Sequence, residues 1–292
     1  MAVTRQTLVV LVALAGACKS DASSSAPAAL PARPRQTLRV AVIGGMMETG
    51  FWPAIQERYE RVSGDKIELV ASGPKPKVIE AFRQGNIDVI TVHASDAMVN
   101  LVADGLARDP QPWVRNDLII VGPKADPAGV RGSHDAVAAL GKIIAAKAPL
   151  LVHASNGADG VLHDLQHAAK LVLDPATTHM FLDENQHAVL ERAAALGAYT
   201  MIGRIPFLTG KLRAEGIELM VTGDPRLQRP YLVEVSTRAQ SGADDLVAFL
   251  RSPELQGWIA TFGKGKYDDA PLFFPVTVPP KSGSPHPDPS DR

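Results

Sequence analysis

The chain carries one cysteine, Cys18, among 292 residues. That excludes an intrachain disulfide, and with it any zinc or iron–sulfur site assembled from several thiolates. Aromatic residues make up only 5%, too few for a surface of base-stacking platforms. Charge of one sign is also missing: 30 Lys and Arg meet 31 Asp and Glu, for a formal net charge of -1. Nothing here supplies the basic face that phosphate backbones require, so nucleic acid is not an expected partner. No period of 20 to 50 residues recurs, which excludes a solenoid. The P-loop lysine pattern, a complete G-x-G-x-x-G and a G-x-S-x-G elbow are all absent, and no cofactor is expected. What remains is a globular composition, 46% hydrophobic and 21% charged, on a chain long enough for two α/β lobes or one large domain.

The two ends differ from the middle. After Arg5 comes a charge-free apolar stretch, Leu8 to Leu14, then Ala15, Gly16, Ala17 and Cys18. This has the n-region and h-region of a secretory signal over 1–17, too short for a comfortable membrane span. Small residues directly before Cys18 resemble a bacterial lipobox, in which the cysteine is lipidated and becomes the mature first residue. A lipid-anchored protein of the periplasm or cell envelope is the expectation. Residues 18–36, rich in Ser, Ala and Pro, read as a flexible tether. Residues 275–292 hold six of the 23 prolines and read as a disordered tail.

Between them, β-branched runs alternate with helical periods. Residues 38–43, 67–70, 88–92, 118–121, 150–152, 199–202, 217–220 and 231–235 read as strands. Trp52, Ile55, Tyr59 and Val62 recur at helical spacing until Gly64, and Ser95 and Gly105 are placed to cap and end another helix. Further helices are expected over 134–146, 160–172, 186–196 and 243–262, with Ser133 a cap. Such alternation implies an α/β fold of mainly parallel sheets flanked by helices. Ligands of such sheets gather at the carboxyl ends of strands, which directs attention to the loops at 43–50, 71–77, 93–97, 153–161 and 199–205.

Several segments carry a family resemblance. They are Leu38-Arg39-Val40-Ala41, Asn86 through Ala94, Asn116 through Gly129, Leu196 through Thr200, Gly223-Asp224-Pro225 and Ser252 through Gln256. Together they resemble the periplasmic tungstate-binding proteins of ABC importers. The resemblance implies a two-lobed periplasmic-binding-protein fold of type II and an oxyanion enclosed between the lobes. It also implies delivery to an ABC permease and its ATPase by a monomer with no catalytic role. Lobe one would be 37–121 plus 205–274 and lobe two 122–204, with hinges near Val121-Gly122-Pro123 and Ile202-Gly203-Arg204.

The strand-end loops and the resemblance together give Gly44, Gly45, Thr49, Ser72, Lys75, His93, Ser95, His153, Ser155, Asn156 and Tyr199 as the candidate ligand contacts. The departures fall on the chemistry. An oxyanion must be given donors: hydroxyls, backbone N–H groups, often an arginine. Where the family has a Thr-Thr-Thr-Ser loop, this chain has Val42, Ile43, Gly44 and Gly45, and only Thr49 restores a hydroxyl. Where the family has an arginine in the second lobe, His153 stands. Lys75 and Lys77 are placed to replace the lost charge, and a protonated His153 would bind an anion more tightly as pH falls.

Two other classes compete with import. A binding module without transport would serve as a sensor or envelope scaffold. A zinc hydrolase would use His163 and His167, spaced i, i+4 with Asp164 between them. The apolar stripe Leu162, Leu165, Ala169 and Val172 leaves those two histidines facing away from it, as on a solvated helix face.

Overall fold

The computed structural model describes residues 34–154, 157–182 and 185–277. Cys18 and the signal segment, Ser155 and Asn156, and the chain beyond Thr277 lie outside the described residues.

The first part of the chain runs β1 (Thr37–Ile43), α1 (Gly44–Glu48), α2 (Phe51–Ser63), β2 (Lys66–Gly73), α3 (Lys75–Arg83), β3 (Val89–His93), α4 (Asp96–Ala103) and β4 (Ala107–Pro123). Next come α5 (Ala136–Ala145), β5 (Leu150–His153), α6 (Ala158–Ala169), β6 (Thr178–Phe181), α7 (Gln186–Leu196), β7 (Thr200–Gly203), α8 (Arg204–Leu208) and β8 (Ile217–Val221). Last are β9 (Gln228–Ser236), α9 (Ala243–Leu250), α10 (Pro253–Ile259) and β10 (Phe274–Pro275).

One sheet has the order β2-β1-β3-β9-β4-β10. β1 lies parallel to β2 and β3, while β9 runs antiparallel to both β3 and β4. β4 is the strand that joins the two halves of the molecule. Its residues up to Asp117 pair with β9, and from Leu118 onward it pairs with β7 and β8. β5 and β6 are parallel, and β5 reaches β7 through Leu151 N–H to Tyr199 O at 2.8 Å. The fold is therefore α/β with mixed sheets: the βα repeats at the start give parallel strands, and β9 runs against them, so that β4 on its far side points the same way as β1–β3.

Each sheet has helices on both faces and two core clusters. Around the first, Trp52, Phe51, Trp113, Tyr231 and Phe273 pack on one face, and Val78, Phe82, Ile90 and Met98 on the other. Around the second, Leu140, Leu162 and Tyr199 face Val189, Leu190 and Ile202. α2 shows the local logic. Phe51, Trp52, Ile55 and Tyr59 are buried at the spacing of one helical face, each such side chain contributing roughly 1.5–3 kcal/mol on burial. Gly64 ends the helix in the left-handed region (φ 76°), its N–H returning to Glu60 O at 3.1 Å. Val62, counted in the apolar stripe, is 62% exposed because it sits on the last turn, past the sheet.

The sequence reading misses several element details. Residues 107–117 extend β4 although Asp109, Pro110 and Pro112 look like loop; the register shifts around those residues show how a strand absorbs them. The helix expected over 243–262 is two, because Ser252 accepts a bond from Leu255 N–H at 3.2 Å and Pro253 starts a new helix. Asp135, not Ser133, caps α5, accepting from Ala138 N–H at 2.9 Å. α6 ends at Ala169, so Val172 leaves the stripe and is 82% exposed. Order also persists past Phe274: Pro275 pairs with Val114, and buried Val276 donates its N–H to Gln256 Oε1 at 2.8 Å.

Candidate functional site

The carboxyl ends of β1, β2 and β3 converge. Gly44 opens α1 directly after β1, against the end of β2: a side chain there would meet Gly73 Cα at 3.3 Å. The close approach of the two strand ends is eased by the missing Cβ at position 44. Thr49, the hydroxyl that survives in this loop, is buried, and its Oγ donates to Gly45 O at 2.8 Å. That hydroxyl is used by the helix end rather than offered to a ligand. Ser72 lies on β2 beside Val42, and Lys75 is the first residue of α3 rather than part of a loop. Ser95 holds the N-cap position of α4, yet its Oγ donates to His93 O at 3.3 Å instead of to the helix.

His93 ends β3, and antiparallel register decides what surrounds it. His93 lies opposite Tyr231 of β9, and Arg229 of β9 lies opposite Asn116 of β4. Residues two apart on a strand share a face, so all four side chains gather on one face of the sheet. The His93 and Tyr231 rings stack with centroids 4.0 Å apart. His93 Nε2 is 3.2 Å from Asn116 Oδ1 and 3.3 Å from Arg229 Nη2, and Arg229 Nη2 donates weakly to Asn116 Oδ1 at 3.5 Å. Burial first, then Arg229 and Lys75, hold His93 well below the usual histidine range, so the ring is neutral. Burial also lowers Arg229 from its ordinary value. Thr91, one step inward on the same face, accepts a bond from Trp113 Nε1 at 2.7 Å and closes the core beneath the cluster.

Asn116 and Arg229 escape sequence reading. Arg229 precedes Pro230 at the start of a strand, where a cation reads as a solvated end; only the pairing of β9 with β3 and β4 brings it to His93.

The residues expected from the second half of the chain are turned elsewhere. His153 ends β5 with its side chain buried, Nε2 donating to Met201 O at 2.6 Å, and burial lowers its pKa. Its ring lines an apolar hollow with Leu140, Leu150 and Leu162. Tyr199 is wholly buried, its hydroxyl donating to Asp126 Oδ1 at 2.7 Å and accepting from Ala128 N–H at 3.0 Å. Both are held in the core around the second sheet, away from His93. His163 and His167 are exposed on α6, and among the described residues no three metal-ligating side chains are grouped to hold a metal.

A buried ion network lies beside the cluster. Arg204, 1% exposed, pairs with Asp268 at 2.6 Å and Asp117 at 3.6 Å and donates to Pro271 O at 2.9 Å. Asp117 is pushed up to about 6, burial outweighing the attraction of Arg204.

What the cluster can do follows from its donors. Two cations and a neutral imidazole meet at the mouth of the strands, and among the described residues no carboxylate forms an ion pair with Arg229. Such a place attracts an anion and repels a metal ion.

Comparison with known proteins agrees in kind. Residues 38–263 match the bacterial extracellular solute-binding protein family. A Haloferax volcanii protein named for anion binding in an ABC transporter is 28% identical over 251 residues, covering 82% of this chain and 72% of the relative. The tungstate-binding protein TupA of Peptoclostridium acidaminophilum is 27% identical over 239 residues, 78% of this chain and 82% of its own. Among solved structures, the tungstate-binding protein TupA of Desulfovibrio alaskensis G20 superposes with a TM-score of 0.66 at 25% identity, over 83% of this chain and all of that one.

Proposed function

The chain belongs to the bacterial extracellular solute-binding protein family, and from that premise we propose that it captures a small oxyanion and delivers it to the permease and ATPase of an ABC importer. Members of the family are binding proteins rather than enzymes, and the two-lobed α/β fold is theirs. The observation that carries the ligand class is the meeting of Lys75, Arg229 and neutral His93 at the carboxyl ends of β1–β3, where no carboxylate among the described residues pairs with Arg229. The names of the relatives, an anion-binding and a tungstate-binding protein, point the same way.

The mechanism is closure of two lobes over the solute. The first sheet forms one lobe and the second sheet the other, and the chain crosses between Asp117 and Leu118 of β4 and again between β8 and β9. A solute that touches both lobes binds the closed state better than the open one, and that difference is what a permease reads. Export, and anchoring through a lipidated Cys18, belong to the same proposal and place the protein outside the cytoplasmic membrane.

The test is a thermal-shift panel of tungstate, molybdate, sulfate and phosphate, with divalent cations as the contrast. A ligand at a hundred times its Kd adds about 2.7 kcal/mol, a shift of roughly 5–11 °C for a domain of this size. Stabilisation by at least one oxyanion and by no cation is expected. A panel in which only cations stabilise, or in which no oxyanion does, would refute the oxyanion reading.

A further inference from the structure

The neighbours of Arg229 do not account for its place. It is half-buried at the start of β9, its Nε has no hydrogen-bond partner, and no carboxylate lies within ion-pair distance among the described residues. Taking a guanidinium partly out of water without an acceptor costs free energy. The groups around it orient it without neutralising it. Arg229 Nη2 lies 3.3 Å from His93 Nε2, Tyr231 fixes the plane of that ring, and Asn116 Oδ1 meets both His93 Nε2 and Arg229 Nη2. Lys75 adds a second cation from α3, close enough to act on His93. The carboxylate whose charge reaches Arg229 is Asp117, and it is engaged by Arg204.

We propose that Arg229 is the cation that binds the solute, and that the solute is a doubly charged tetrahedral oxyanion, with His93 and Asn116 as positioning residues and Lys75 supplying the second charge. This rests on the oxyanion reading above and deepens it. The guanidinium offers two parallel N–H donors to two oxygens of one anion, a geometry that an ammonium lacks. The charge-bearing ligand thus stands at the start of β9 in the first sheet, not in the second-half loop where His153 was the expected substitute. That substitution also removes the pH response expected of His153. Arg229 does not titrate near neutrality, and His93, faced by Lys75, Arg229, Tyr231 and Asn116, stays neutral.

Calorimetry and thermal shift on the full chain decide the matter, with tungstate, molybdate and sulfate as probes and wild type compared with Arg229→Gln, Arg229→Lys and His153→Gln. Arg229→Gln is expected to weaken every anion that wild type binds by at least about 100-fold, and Arg229→Lys by about tenfold. The unliganded Tm of Arg229→Gln should equal or exceed that of wild type, because an uncompensated cation is gone. Its His93 should titrate at higher pH by NMR, a response that loss of ligand contacts alone would not produce. Sulfate affinity should stay within about twofold from about pH 7.5 to 8.5, above the range in which Asp117 titrates, and His153→Gln should leave it unchanged while lowering Tm. Wild-type affinity retained in Arg229→Gln overturns the assignment and leaves the oxyanion reading standing. Equal loss in the Gln and Lys variants with a lowered unliganded Tm in both means a structural role, and also overturns it. A wild type that takes no oxyanion overturns the oxyanion reading itself, and this assignment with it.

Discussion

Glu234 is carried into the first sheet with no partner among the described residues. It is 0% exposed, lies opposite Ile90 on β3, and neither carboxylate oxygen is hydrogen-bonded by any of them. Its face of β9 is the one that packs under α3 and α4, among Val78, Phe82 and Met98. Burial alone pushes its pKa up to about 7. The sign follows directly: the unfolded carboxyl, near 4.3, has lost its proton while the native one still holds it. Stability therefore falls as pH rises from about 4.3 through 7, and the full penalty, on the order of 3 kcal/mol, is present above that. Glu234→Gln is expected to raise stability over wild type at pH 8 and to leave it nearly unchanged at pH 4.5. Urea unfolding at the two pH values checks this; equal effects at both would mean that Glu234 is ionised and solvated in the native state.

At the scale of elements, the junctions rather than the elements bear the strain. β4 serves two sheets, and Gly122 near its end admits the Tyr199 ring so closely that a Cβ would lie 2.4 Å from it. α8 begins at Arg204, whose guanidinium ties the end of β7 to Asp117 on β4 and to Asp268 and Pro271 near the C-terminal strand. α10 is tied to the same strand by Gln256, which donates to Trp113 O and Leu250 O, both at 2.8 Å. Breaking a buried pair leaves an uncompensated charge and costs about 3–5 kcal/mol. Arg204→Ala is expected to lose that much in urea unfolding, and Asp268→Asn less, since that carboxylate is 31% exposed. A loss below about 1 kcal/mol in Arg204→Ala would show that water takes over the network.

For the molecule as a whole, the folded body accounts for capture but not for place. No helix among the described residues is long and apolar enough to cross a membrane. The proposed attachment rests on Cys18, in the segment ahead of the body. A single acyl chain gives only marginal binding, so the multiple chains of a lipidated Cys18 would be needed for a firm anchor. Cys18→Ser is expected to move the protein from the membrane fraction to the soluble extract while leaving anion-induced Tm shifts intact. A wild type already soluble and unlipidated by mass spectrometry would leave an ordinary cleaved signal as the reading of 1–17.

Composition, periodicity and turn residues determined much of this protein without help. Alternating strands and helices located most of the elements, α7 to the residue, because buried faces impose their period on sequence regardless of what they pack against. The family resemblance, carried by segments such as Asn116 through Gly129, reached the fold and the class of protein. Of the cluster proposed as the site, Lys75 and His93 were singled out in the sequence because strand ends can be read from it. Asn116 and Arg229 were not, since register between strands far apart in the chain is set by the sheet: only there does Arg229 of β9 fall opposite Asn116 and beside His93. For the same reason His153 and Tyr199, polar residues at strand ends, read as ligands but are claimed by Met201 O and Asp126. A side chain's type is written in the sequence, whereas whether its hydrogen bonds go to a solute or to its own core is decided only when distant strands are brought together.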